Sequence, residues 1–276
     1  MASWKLALAG WLLWLVGAIG GLPALTNGQE FRVDTELFKD QEKQPFLEQL
    51  TIFAADGTIY DFRLTAPQEA TVFDPRHGRF TLLDESRKAK ATVTTQELLD
   101  FSLAMETHAA QQKDRLFAFC AVPQFETAEQ EVERSSEAMV ELRLTAKPLS
   151  YVALGQRPQR PEAVKSYRQF ADWCTRLNAT RSGNLPPGAR LVLNQALAER
   201  ELLPFEITRT IPAGGPLGRK KLDIRSEHRV NWALSGEDQK KIEHAADMMA
   251  TFQSVSYDEY RGAEGKAVAA AKQVRR

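Results

Sequence analysis

The chain has 276 residues, enough for one large domain or two small ones with a sizeable core. Lysine plus arginine balance aspartate plus glutamate at 36 each, which gives no general drive toward nucleic acid or an anionic membrane. Two cysteines exclude a disulfide-stapled scaffold, and the four histidines fall in no metal-binding spacing such as HExxH.

Residues 1–28 carry one lysine, an apolar run from Leu6 to Ile19, and then glycine, proline and small residues. That is the layout of a secretory signal peptide, with cleavage after Thr26 or Gly28. An uncleaved N-terminal membrane anchor is the competing reading. Gly20, Gly21 and Pro23 interrupt the run before it reaches a full bilayer span. The expected product is exported, periplasmic or extracellular. Its mature part is a single α+β domain over 29–260, followed by a basic flexible tail at 261–276.

Residues 31–38 alternate apolar and polar and predict a first strand. Residues 51–93 predict four or five more short strands. In this stretch Tyr60, Phe62 and Leu64 point one way, and Ile59, Asp61 and Arg63 the other. Phe80 and Leu82 repeat the pattern. Asp56-Gly57 is a tight-turn signal, and residues 74–78 mark a longer turn. Links this short require antiparallel neighbours, so the stretch reads as a meander.

Thr94 followed by Glu97 is a capping box that opens a helix. The helical pattern weakens over 107–114 and stops before Pro123. Residues 125–135 are charged and read as a loop or an edge. Residues 139–145 and 149–154 predict a hairpin, and the Pro/Arg turn at 155–161 is the best candidate for a subdomain boundary. Pro161 then opens a helix carrying Val164, Tyr167, Phe170, Cys174 and Leu177. A second helix covers 189–200. Strands follow at 205–211 and 221–234 around a glycine-rich loop. Ser235 and Asp238 start a last capped helix. Strand runs separated by helices, without strict βαβ alternation, predict α+β: a curved antiparallel sheet packed against several helices.

Chemical signatures are sparse. The glycine-rich loop at 213–221 lacks the spacing, the hydroxyl and the following helix of a phosphate loop. The basic residues around it lack the interleaved apolar positions of a membrane-surface helix. His77 reads as a turn residue. His228 and His244 flank the final strand–helix junction, where they could approach each other. Cys120 and Cys174 are a candidate disulfide, although their apolar helix faces suit free thiols packed as small hydrophobes. Asp34, Glu36, Asp61 and Asp74 read as wet-face residues. No cofactor or metal is expected.

The signal segment and the run from Phe62 to Val93 resemble the periplasmic lipoprotein-carrier family. In that family an antiparallel half-barrel is packed around helices, and its apolar cavity takes acyl chains. The likeness is one of architecture over residues 51–120, and residues 155–276 have no counterpart in it. As a whole the chain resembles exported bacterial proteins that carry such a domain. The resemblance implies lipid or lipoprotein binding, and the first reading is an exported, non-enzymatic protein holding an apolar ligand between a curved sheet and a covering helix. The corresponding ligand-binding residues are Phe53, Tyr60, Phe62, Leu64, Phe73, Phe80 and Leu82. The same residues also suit a solid core, the usual meaning of alternating apolar positions, in which case the protein is a structural or interaction module of the cell envelope. A carboxylate-dependent hydrolase is the third reading. It calls for two or more buried carboxylates and a histidine in one pocket.

Overall fold

A computed structural model describes residues 30–109, 111–134, 137–181, 183–213 and 220–262. The expectations for residues 1–28, for most of the glycine-rich loop and for nearly all of the basic tail lie outside these residues. Among the described residues, no helix is long and apolar enough to cross a membrane.

The chain opens with six strands, β1 (Phe31–Lys39), β2 (Leu47–Phe53), β3 (Ile59–Arg63), β4 (Glu69–Asp74), β5 (Arg79–Asp84) and β6 (Ala89–Thr94). Each pairs antiparallel with the next, as the short turns require. The β2–β3 turn works because Gly57 takes φ 85° and Asp56 accepts the Thr58 amide. At the β4–β5 turn Gly78 takes φ 57°, and a Cβ there would meet Thr95 Oγ1 at 2.7 Å.

Two helices follow, α1 (Thr95–Ala109) and α2 (Arg115–Ala121), broken where the periodicity weakens. The Thr94 hydroxyl accepts the Glu97 amide, and the Glu97 carboxylate accepts the Thr94 amide, so the capping box is formed. Then come β7 (Glu126–Arg134), β8 (Glu137–Thr145) and β9 (Ser150–Gln156), two helices α3 (Glu162–Ala179) and α4 (Gly188–Glu199), and strands β10 (Leu203–Ala213) and β11 (Lys220–Asn231). Helix α5 (Gly236–Thr251) and the short β12 (Gln253–Ser254) follow, and residues 257–262 are helical again.

All twelve strands form one open, curved sheet in the order β12-β6-β5-β4-β3-β2-β1-β11-β10-β9-β8-β7. It is antiparallel except at β12–β6. The fold is α+β, as predicted. The charged segment read as a loop or an edge is the edge strand β7, whose acidic, exposed side chains discourage further strand addition. The turn at 155–161 does not interrupt the sheet, because β9 pairs with β8 on one side and β10 on the other.

Topology fixes the helical layer. Strands β6 and β7 lie near opposite ends of the sheet, so α1 and α2 must traverse a whole face between them. Helices α3 and α4, which link the neighbours β9 and β10, pack against α1 and α2 in turn. The face they cover is the inner face. Over β1–β6 it buries Phe31, Phe53, Phe73, Phe80 and Leu82 under Leu98, Val164 and Phe170. Over β8–β10 it buries Leu142, Leu144 and Tyr151 under Cys120, Leu193 and Leu197.

The opposite, outer face is also covered over β2–β5. There α5 lays Ala245 and Met248 on Ile52, Tyr60, Phe62, Val72 and Leu83. Full burial of each large apolar side chain contributes roughly 1.5–3 kcal/mol. Farther along, the outer face is an ion-pair surface, with Arg225 paired to Glu227 and Arg229 to Glu36.

Candidate functional site

The seven residues expected to share one ligand-binding face do not share it. Phe53, Phe73, Phe80 and Leu82 are on the inner face, while Tyr60 and Phe62 are on the outer face beneath α5. Leu64 lies just past the end of β3 and is exposed. Alternation along β3 is as read, but Ile59, Asp61 and Arg63 are the inward set. The four inner residues are packed solid: Phe73 stacks on Phe80 at 4.3 Å, and Phe31 on Phe53 at 4.1 Å. They close one end of the inner face and line none of its space.

The space lies beside them. A cavity of about 470 Å³ separates β1–β3 and β9–β11 from α2, α3, α4 and the loop between the last two helices. The register shows why it is there. Across the sheet, the inward row Val93–Phe80–Phe73–Ile59–Phe53–Phe31 is wholly apolar. The next row carries Thr71, Asp61 and Thr51, and the one after it Glu69, Arg63, Gln49, Thr35 and His228. Polar side chains in these rows cannot interdigitate with a helix as leucines do, so the helices stand off. Beyond them Leu47, Leu37, Ser226 and Ile207 form a mainly apolar row, and Ile224, Arg209 and Tyr151 part of another.

The polar side chains have definite partners. Thr51 donates to Asp61 Oδ1 at 2.7 Å, and Gln49 donates to Oδ2. Burial nevertheless pushes the Asp61 carboxyl up to about 6, outweighing those two bonds. Glu69 pairs with Arg181 at 2.9 Å and accepts from the Tyr260 hydroxyl at 3.1 Å. His228 sits between two hydroxyls, Thr35 at 3.2 Å from Nδ1 and Ser226 at 2.9 Å from Nε2. Burial, helped by the positive charge of Arg190, lowers His228 to about 3, so the ring is neutral. His244 is on α5, exposed and beside Glu85, so the two histidines do not approach each other. His77 is the turn residue expected, bonded to Asp74 at 2.6 Å.

Cys120 and Cys174 both line the cavity, and both are free thiols rather than a disulfide. Burial holds each in the protonated form, Cys120 at about 11 and Cys174 well above the ordinary thiol range. They pack as small apolar groups on helix faces. Tyr151 and Tyr167 are likewise neutral, because burial raises both.

The hydrolase reading asked for two buried carboxylates and a histidine together. Asp61 and Glu69 share the inner face with His228, but the histidine bonds hydroxyls and is far too weak a base for proton abstraction near neutral pH. Among the described residues no cluster of His, Cys, Asp or Glu has the makings of a metal site. What the arrangement can do is hold a guest with one apolar and one polar side.

Only part of the signal that marks the cavity was in the sequence. Thr51, Asp61 and Arg63 alternate with apolar neighbours, and Asp61 and Arg63 read as the wetter side of β3, which faces inward. Thr35, Ser226 and His228 stand between charged neighbours and carry no such signal. No protein-family model matches the chain, and no curated protein matches it.

Proposed function

We propose that the chain is an exported, non-enzymatic binding protein that holds an apolar or acylated ligand on the inner face of its half-barrel-like sheet. The observation that carries this is the cavity of about 470 Å³ under α3 and α4, within the size range of small-molecule sites. Its apolar wall includes Leu37, Leu47, Phe170 and Ile224. The signal-peptide layout of residues 1–28 supports export, and the architectural resemblance to lipoprotein carriers supports an acyl ligand. The low basicity of His228 supports binding over hydrolysis.

The test is uptake of a fluorescent fatty acid by the wild-type protein and by Ala171→Phe. Ala171 lines the cavity from α3, and a phenylalanine there occupies the space without adding charge. Saturable uptake by the wild type and roughly tenfold or greater weakening in the variant are expected. Uptake that is unchanged in the variant places the ligand elsewhere and contradicts the reading.

A further inference from the structure

The cavity wall contains four arginines, Arg63, Arg181, Arg190 and Arg209, and no aspartate or glutamate. Arg181 is paired with Glu69. The other three have no carboxylate within ion-pair distance among the described residues. Arg190 donates from Nε to Asn194 at 2.9 Å, a neutral partner on its own helix. Arg209 comes from β10 on the facing wall, and its buried Nε has no partner among the described residues. Arg190 and Arg209 line the same cavity as Tyr151, from α4 and from β10, and Arg209 is the cross-strand neighbour of Tyr151. Positive groups lining one partly buried space without a carboxylate partner are costly.

Resting on the proposed binding role, we propose that the ligand is an anionic amphiphile. Its carboxylate or phosphate group is held between Arg190 and Arg209 with the neutral Tyr151 hydroxyl as a further donor. Its apolar part lies along Leu37, Leu47 and Ile224. Guanidinium groups suit this task because they present several donors in a fixed plane to an oxyanion. The neutral state of His228 fits as well. The ring completes the polar lining without adding another positive charge, and its two hydroxyl partners fix its orientation.

The experiment is calorimetric titration of the full chain with dodecanoate, dodecyl phosphate, dodecanol and dodecyltrimethylammonium, each below its aggregation concentration. It is repeated with Arg190→Gln and Arg209→Gln. The two anions should bind at least about tenfold more tightly than dodecanol, and the cation more weakly still. Each variant should lose most of that preference while keeping its affinity for dodecanol, which also shows that its cavity is intact. Should a variant fail to fold, the ligand series on the wild type decides alone. Equal binding of dodecanol and dodecanoate would overturn the anion site and leave the binding role standing. Acetate or inorganic phosphate competing as well as the dodecyl anions would also overturn it, since the apolar part would then contribute nothing. Failure of all four chains to bind would remove the binding role and the inference with it.

Discussion

His228 shows how a single buried group ties the cavity to solution behaviour. Its folded pKa is about 3 against 6.5 for an unperturbed ring, so below pH 6.5 the unfolded chain binds a proton that the folded chain does not. Its contribution to stability is therefore fully present above about pH 6.5 and is lost as pH falls toward 3. The slope approaches about 1.4 kcal/mol per pH unit at most. Asp61 acts with the opposite sign. Raised from 3.8 to about 6, it favours folding below 3.8, and that contribution is lost as pH rises through 6. The two partly cancel, so the informative quantity is the difference between wild type and His228→Gln in urea unfolding across pH 4–7. That difference should shrink steadily toward acid. A difference that does not change with pH would show that the ring is not held neutral in the fold. The same residues mark the limit of sequence reading. Alternation in residues 59–63 says which side chains share a face, but nothing local says which face the helices cover. Asp61 and Arg63 looked solvated because their strand neighbours Tyr60 and Phe62 are aromatic, and those aromatics are in fact held under α5.

At the scale of elements, local chemistry was readable and long-range pairing was not. Both capping boxes, the helix opened by Pro161 and the antiparallel meander follow from neighbouring residues, and each is present. The pairing of β1 with β11 joins residues almost two hundred positions apart, and no local signal encodes it. Helix α5 is tied to this junction. Asp238 is 1 % exposed, accepts the Ser235 amide at 2.7 Å, and pairs with Arg32 of β1 at 2.8 Å. Removing the cap hydroxyl by Ser235→Ala should cost about 1 kcal/mol. Removing the carboxylate by Asp238→Ala should cost more, about 2 kcal/mol, because it also breaks the pair with Arg32, which keeps only Asp34 at 3.2 Å. Chemical denaturation of both variants checks this. Equal losses would mean that Asp238 acts only as a cap and that α5 is not anchored to β1 through it.

At the scale of the whole molecule, one sheet with unequal covers explains where a ligand can go. Close packing on both faces of the sheet around Phe53, Ile59, Phe73 and Phe80 leaves that end solid, and the aromatic rows there serve stability. The curved antiparallel sheet expected from the sequence is present, and the seven residues expected on one ligand face are divided between its two faces and the end of β3. Apolar side chains close-pack against a covering helix and leave little space between them. Space opens in this fold where polar inward rows hold the helices off the sheet, at the seam between the N-terminal meander and β9–β11. The central claim is that this seam carries a guest. Native mass spectrometry of the full-length protein purified from its own host, followed by solvent extraction, tests it most directly. A single small molecule bound one to one, released by solvent and carrying an acidic group on an apolar body, is the predicted result. A bare polypeptide mass, together with no uptake of added fatty acid, would contradict the account and leave the cavity as a structural void.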